Sequence, residues 1–329
     1  MKHLAFTLMI LSTLIAMTLP AAAGAPDGEI QARGWREYFP PVSPPARTSH
    51  AMAYDTARGV AVLFGGGSGS YEDLDDTWEW DSRTRTWNQR FPAHHPSGRW
   101  GHAMAYDEAR GVTVLFGGTV NFGGSNETWI WDGSDWTQLF PDTVPEDRYV
   151  HGMAYDSDRQ VTVMFGGLYA YDDTWEWDGL NWSQPAVANP NWRIGQAMVY
   201  DRPRHTMVIF AGDDTSGWYS YFDDTWERTN GGDWVEISPP QRPPMRERMA
   251  AAYFADIQRT VVFGGLDPWT RRDDTWIWDG VNWRTRTFEP RPWGRCCTAM
   301  VYDPILHGLV LFGGATFYGV ETNDTWLFR

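Results

Sequence analysis

Residues 47–55 read RTSHAMAYD, and the same segment continues with VLFGG at 62–66, DDTW at 75–78 and a tryptophan at Trp87. This order of residues occurs six times in the chain. The tyrosines that mark the six copies are Tyr54, Tyr106, Tyr155, Tyr200, Tyr253 and Tyr302, and they are 52, 49, 45, 53 and 49 residues apart. A repeat of about 50 residues with a glycine pair and fixed tryptophans is typical of β-propeller blades.

Each copy predicts four short strands. In the second copy, AMAYD at 103–107 and VTVLF at 112–116 are followed by a loop, then by TWIW at 128–131 and a last strand from Trp136. Asp-Gly between the last two runs is a hairpin signal, and no helical period is present. The sequence therefore predicts an all-β fold, a six-bladed propeller with four antiparallel strands in each blade.

The two ends of the chain predict how the ring closes. The sixth copy stops at TWLFR, 325–329, before any fourth strand, whereas a spare fourth-strand pattern, WREYFP, begins at Trp35. Pairing Trp35 with Trp326 completes the last blade and removes the free sheet edges. We expect a signal peptide at 1–23, a short segment at 24–32 and a single propeller domain at 33–329.

The glycine pair, the Tyr-Asp turn, the Thr-Trp pair and the closing tryptophan resemble kelch repeats, and the resemblance covers 33–329. It implies a kelch-type β-propeller of the galactose oxidase-like superfamily. Nothing in this sequence matches the extra domains or the tyrosine–cysteine copper site of the galactose oxidases themselves. Kelch propellers include enzymes and many binding proteins, so the family alone does not decide the function.

The N-terminus and the charge predict the compartment and restrict the partners. Residues 1–23 combine a basic start at Lys2, an apolar run over 4–19 and AAA at 21–23, which is typical of a secretory signal peptide. We therefore expect a secreted or periplasmic protein, and no other segment is apolar enough to span a membrane. The net charge of −15 argues against nucleic acid or an anionic membrane as a partner. The oligomeric state is left open.

The only two cysteines are the neighbours Cys296 and Cys297. Adjacent side chains on a strand point to opposite faces, and this spacing does not suit a zinc cluster. Two states are open, a strained vicinal disulfide or a pair of buried thiols, and the second is favoured.

An arginine stands seven residues before each repeat tyrosine. The six are Arg47, Arg99, Arg148, Arg193, Arg246 and Arg295. The innermost strand of a blade begins at the channel mouth, so we expect a ring of arginines there. The resemblance to peptide-binding kelch propellers implies that some of them contact acidic groups of a ligand, for which guanidinium forks are suited. The alternative is structural, because acids recur before each Thr-Trp pair and could join blade to blade.

Three residues after the first three arginines stand His50, His102 and His151. As repeat residues they are expected to be packed in the core, with a copper or zinc site as the less favoured alternative. We predict no metal and no cofactor.

Aromatic residues outside the strand pattern are the other candidate ligand-binding residues. They are Trp100, Tyr149, Trp192, Trp218, Trp269 and Trp293. Exposed aromatics on one face stack on sugars or hold protein partners, although they can also simply cap the propeller.

Two functions are compatible with these features. The first is an exported binding module that recognises a glycan, peptide or protein ligand through its aromatic loops and arginine-lined mouth. The second is a carbohydrate-active enzyme similar to the sialic acid mutarotases, with His102, His151 and Glu127 as candidate acid–base groups. We favour the first because no catalytic motif is recognisable in the sequence.

Overall fold

The computed structural model describes residues 34–69, 72–169, 171–217 and 220–329. These residues form six antiparallel four-stranded sheets, which confirms the predicted six-bladed propeller. The predicted signal peptide and the boundaries at 23 and 32 lie outside the described residues and stay predictions.

The four strands of each blade follow one another from the channel outward. Blade 1 contains Ala51–Asp55, Val60–Phe64, Thr77–Asp81 and Thr86–Arg90, and blade 2 contains Ala103–Asp107, Val112–Phe116, Thr128–Trp131 and Trp136–Leu139. Blade 3 contains Gly152–Asp156, Val161–Phe165, Thr174–Trp177 and Trp182–Ser183, and blade 4 contains Ala197–Asp201, Thr206–Asp213, Tyr221–Thr229 and Trp234–Ile237. Blade 5 contains Ala250–Phe254, Arg259–Phe263, Thr275–Trp278 and Trp283–Arg286, and blade 6 contains Ala299–Asp303, Gly308–Phe312, Thr325–Phe328 and Trp35–Tyr38.

The remaining elements are short. Among the described residues, three two-stranded pairs lie in the loops, namely Gly67–Ser68 with Glu72–Asp73, Thr119–Val120 with Gly123–Gly124, and Arg295–Cys296 with Ala315–Thr316. One 3-10 turn covers Arg202–Arg204.

The ring closes as the sequence predicts. Trp35 pairs with Phe328 and Glu37 pairs with Trp326, so the N-terminal strand forms the outer edge of blade 6. The hydrophobic core is divided into six clusters, and each cluster joins residues of two adjacent blades. Burial between blades is therefore the source of stability, and each blade depends on both neighbours.

The outermost strands are also joined from blade to blade by tryptophan. In each case, the indole nitrogen of the outer strand donates to the threonine of the preceding blade's Thr-Trp pair, at 2.9 Å. The six bonds are Trp87–Thr325, Trp136–Thr77, Trp182–Thr128, Trp234–Thr174, Trp283–Thr225 and Trp35–Thr275. The repeated threonine and tryptophan are thus one contact that recurs at all six interfaces.

The glycine pair lets adjacent blades approach closely. The second glycine of blade 1, Gly66, donates its N–H to the carbonyl oxygen of Arg99 in blade 2, at 2.8 Å. A Cβ on the first glycine, Gly65, would stand 2.7 Å from that same oxygen. The main-chain bond recurs at every interface, at 2.8–3.0 Å.

A closed ring of main-chain hydrogen bonds surrounds the channel. It contains one residue per blade, two positions after each repeat arginine, and each N–H donates to the carbonyl oxygen of the ring residue in the preceding blade at 2.6–2.9 Å. The six residues, which we call the axial ring, are Ser49, Gly101, Val150, Gly195, Arg248 and Cys297. All six adopt a positive φ, between 51° and 68°. This conformation is costly for residues other than glycine, most of all for a β-branched valine.

The axial ring predicts the effect of glycine substitutions. Gly195→Ala should destabilise the protein by about 1–3 kcal/mol. The alanine would have to adopt a positive φ, and its Cβ would lie 3.0 Å from the main-chain nitrogen of Arg248. Val150→Gly should lower the free energy of unfolding by less than about 1 kcal/mol. Glycine removes the backbone strain of a valine at positive φ, and this gain offsets the loss of the side-chain contacts.

Urea denaturation measures both variants, with Gly217→Ala as the control. A Cβ on Gly217 meets no atom within 4 Å, so the control should change stability by less than about 0.5 kcal/mol. Equal losses for Gly195→Ala and Gly217→Ala would contradict the strained ring.

Candidate functional site

The six repeat arginines are buried within the blades. In blade 1, Arg47 Nη1 and Nη2 donate to the two carboxylate oxygens of Asp76 at 2.6 and 2.7 Å. Nη1 also donates to the Gly65 carbonyl oxygen at 2.9 Å, and Nε donates to the Pro45 carbonyl oxygen at 3.1 Å. Every nitrogen of this guanidinium group therefore donates to an oxygen of the protein.

Blades 3 to 6 repeat this two-point contact, whereas in blade 2 only Nη2 of Arg99 donates to Glu127. The arginine–acid pairs are Arg99–Glu127, Arg148–Asp173, Arg193–Asp224, Arg246–Asp274 and Arg295–Asp324. Each pair lies within one blade, so the expectation that the side chains join blade to blade is wrong; the arginine main-chain carbonyl makes that connection instead. Ligand contact by these six side chains stays a prediction, and their full burial gives it little support.

The acid of the blade 1 pair, Asp76, is held in its charged form. Burial raises the pKa of Asp76, but the hydrogen bonds with Arg47 and Trp78 lower it more, so the net shift is downward. Stability from such a group is present above its unfolded pKa, near 3.9, and is lost as the pH falls through the lower folded value.

Removing one partner of this pair should be severe. Asp76→Ala leaves a buried arginine without its carboxylate and should cost about 3–5 kcal/mol of unfolding free energy. Asp75→Ala is the matched control, because the side chain of Asp75 is 59% exposed and its carboxylate lies 3.9 Å from the His95 ring. The control should change stability by less than about 0.5 kcal/mol. Similar urea midpoints for the two variants would show that the buried pair has no structural role.

The channel narrows at the residue that follows the axial ring in each blade. A cavity of about 160 Å³ is lined there by His50, His102, His151, Gln196, Met249 and Thr298 together with the axial ring. Burial and the nearby Arg47 charge lower the pKa of His50 to about 3. Burial and the adjacent arginines likewise hold the pKa of His102 and of His151 well below the usual 6.5. All three imidazoles are therefore neutral near pH 7.

The histidine rings pack against the preceding blade. His102 meets Phe64 edge-on, with ring centroids 5.6 Å apart, and His151 meets Phe116 in the same way at 5.7 Å. In the described part of the chain, no group of three or more His, Cys, Asp or Glu side chains is arranged to hold a metal ion.

The buried histidines predict a dependence of stability on pH. Because the folded pKa of His102 is below the unfolded value, unfolding takes up a proton below about pH 6.5, and stability falls as the pH falls. His102→Gln should remove part of this loss, up to about 1.4 kcal/mol for each pH unit below pH 6. Glutamine suits the site, since Gln196 occupies the same repeat position in blade 4 and donates to the Phe165 carbonyl oxygen at 2.7 Å.

Urea denaturation at several pH values tests this, with the more exposed His95→Gln as the control. Parallel pH profiles for wild type and His102→Gln would refute the buried neutral histidine.

At the opposite end of the channel, a cavity of about 520 Å³ is lined by the six repeat tyrosines and the small residues before them. Some of the hydroxyl groups donate to an aspartate of the preceding blade; for example, Tyr302 donates to Asp256 at 2.9 Å and Tyr54 donates to Asp303 at 3.2 Å. This lining repeats the blade pattern and contains none of the predicted ligand-binding residues.

The larger pocket lies at the end of the channel where the innermost strands begin. We call it the loop-face pocket; it has a volume of about 930 Å³. Two predicted residues line it, Trp100 and Tyr149, whose rings meet edge-on with centroids 5.3 Å apart. Tyr169 continues this aromatic row, 6.0 Å from Tyr149. The structure thus brings two of the predicted aromatic residues together on the wall of one pocket.

The other predicted aromatic residues have different positions. Trp192 is half-buried, while Trp269 and Trp293 are 60% and 80% exposed, and the three lie outside the lining of the loop-face pocket. Trp218 lies outside the described residues, so its predicted role stays a prediction.

Sequence reasoning missed two arginines of the pocket. Arg248 and Arg271 line its floor and wall, and the exposed Phe122 lies at its rim. Three acids, Glu72, Asp73 and Glu321, complete the charged lining. Alignment of the six copies could have revealed Arg248, because it is the one charged residue among the six at that repeat position.

Comparison with known proteins agrees with this architecture. The model of the KLHDC2/KLHL20/DRC7 Kelch-repeats domain matches residues 30–187, which include the first three blades. The six blades carry one repeat pattern around the whole ring, and the chain is a kelch-repeat β-propeller. A search of curated proteins found no match. In the described part of the chain, no helix is long and apolar enough to cross a membrane.

Proposed function

We propose that this protein is an exported binding module that holds its ligand in the loop-face pocket. Kelch propellers are in general binding modules. The observation that carries the proposal is the row of Trp100 and Tyr149 along the wall of a 930 Å³ pocket that also contains Arg248 and Arg271. Export rests on the pattern of residues 1–23.

The aromatic row is not needed to hold the blades together. The rings of Trp100 and Tyr149 lie outside the six hydrophobic clusters that join adjacent blades, and both side chains are half-buried. A partly exposed pair of aromatic rings offers a flat apolar surface with polar edges, which suits a sugar ring or an aromatic or apolar side chain.

Two guanidinium groups offer a carboxylate a place to bind, in a lining that also holds the acids Glu72, Asp73 and Glu321. Arg248 and Arg271 are the cationic groups of the pocket lining, and guanidinium groups bind carboxylates by paired hydrogen bonds. Nη1 of Arg271 is buried and has no hydrogen-bond partner among the described residues. An acidic sugar and an acidic peptide share the chemistry that this pocket suits, namely a carboxylate beside an apolar group.

The alternative enzyme is less well supported. Of its candidate acid–base groups, Glu127 binds Arg99 and Trp129, while His102 and His151 are buried with their rings packed against the preceding blade. None of these three groups lines the loop-face pocket.

The proposal predicts which substitutions weaken ligand binding. The mature protein should bind a member of a glycan array rich in uronic and sialic acids, or of a library of acidic peptides. Trp100→Ala and Arg271→Gln should each weaken that binding about tenfold or more, because each removes a central contact of the pocket. Trp293→Ala is the matched control, since this exposed tryptophan lies outside the pocket and should leave the affinity unchanged.

The glycan array and the peptide library distinguish an acidic sugar from an acidic peptide as the ligand. Binding confined to neutral ligands, or an affinity that changes with Trp293→Ala but not with Trp100→Ala, would contradict the proposed site.

A further inference from the structure

We propose that Cys296 and Cys297 form a redox-active dithiol that a hydroperoxide oxidises to a vicinal disulfide at the floor of the loop-face pocket. The proposal goes beyond ligand binding and does not depend on it. The two cysteines are free thiols in this structure.

The backbone brings the two sulfur atoms together. Adjacent side chains on a regular strand diverge, as expected from the sequence, but the strand Arg295–Cys296 ends before Cys297. Cys297 belongs to the axial ring and has a φ of 60°, so its side chain turns toward that of its neighbour. The two Sγ atoms lie 3.0 Å apart, and the expectation of opposite faces is wrong.

The two thiols differ in access and therefore in role. Cys296 is 1% exposed, whereas Cys297 is half-buried and lines both the loop-face pocket and the narrow part of the channel. A small peroxide that enters either cavity meets Cys297 first. Cys297 is thus placed to react with it, and Cys296 is placed behind it to resolve the product.

The charges around Cys297 favour its thiolate, which is the reactive form. The hydrogen bond with Cys296 and the nearby Arg248 guanidinium lower the pKa of Cys297 against the effect of burial. The pKa of Cys296 shifts in the opposite direction, because the hydrogen bond with Cys297 and burial both raise it. Glu247, whose pKa burial raises to about 7, and Arg271 are the other titratable groups close to the pair.

The reaction is balanced in two steps. The Cys297 thiolate attacks the O–O bond of the hydroperoxide, takes up one oxygen as a sulfenic acid, and releases an alkoxide or hydroxide that a proton neutralises. The Cys296 thiol then displaces water from the sulfenic acid and forms the S–S bond. Two electrons pass from the two sulfurs to the peroxide, which yields one alcohol or water and a second water.

The product should be easily reduced. Consecutive Cα atoms are about 3.8 Å apart, which is shorter than the separation that ordinary disulfides prefer. Strained disulfides have oxidising potentials and are the labile ones. The oxidation is therefore expected to be reversible by a dithiol such as dithiothreitol.

The test uses the full reduced protein, hydrogen peroxide as the probe and intact-mass measurement. Before oxidation, unfolded protein should take up two N-ethylmaleimide labels. After a stoichiometric peroxide dose, it should take up none, lose the mass of two hydrogen atoms and form no disulfide-linked dimer. Dithiothreitol should restore both labels. Retention of both labels after a dose that oxidises glutathione, or a disulfide-linked dimer, would overturn the proposal.

Two variants assign the roles. In Cys296→Ser, the sulfenic acid on Cys297 has no partner, so dimedone should trap it. In Cys297→Ser, the buried Cys296 should give no dimedone adduct at the same dose. Equal dimedone labelling of the two variants would overturn the assignment of attacking and resolving thiols.

Arg248→Gln keeps both thiols and tests the environment even where a cysteine variant folds poorly. Loss of the adjacent cation should slow disulfide formation about tenfold, because less of Cys297 is thiolate near neutral pH. An unchanged rate would overturn the role given to the Arg248 charge.

Discussion

The axial ring is the constraint on which the rest of the structure depends. Six main-chain hydrogen bonds of 2.6–2.9 Å pass from blade to blade and return to their starting point, so that no blade can shift without breaking two of them. Each ring residue must adopt a left-handed conformation to donate to one neighbour and accept from the other. Glycine meets this requirement at two positions, and the surrounding blades impose it at the other four.

Two further sets of contacts keep the same period at larger radius. The glycine–arginine main-chain bonds lie outside the axial ring, and the tryptophan–threonine bonds join the outer strands. Between them, the buried arginine–acid pairs fix the start of the inner strand to the start of the third strand inside each blade. The repeat residues therefore have structural roles, and we look for functional residues at positions that differ from one copy of the repeat to another.

The sequence alone predicts the residues that follow the repeat better than those that differ between copies. The blades, their number and the closure at Trp35 were predictable because six copies of one pattern agree. The burial of the arginines was not, because spacing alone does not tell whether a guanidinium group faces the channel or its own blade. The contact between Cys296 and Cys297 was also hidden, since it depends on a positive φ that no local sequence signal announces. The loop-face pocket combines loops of several blades, so only some of its residues, Trp100 and Tyr149 among them, could be named.

Native-state hydrogen exchange of the six axial-ring amides tests the central claim most directly. If the ring is a closed unit, the amides of Ser49, Gly101, Val150, Gly195, Arg248 and Cys297 should all exchange with the free energy of global unfolding and with the same dependence on urea. Exchange of any one of them through a local opening, at a much lower free energy than the others, would contradict a closed ring that holds the blades together.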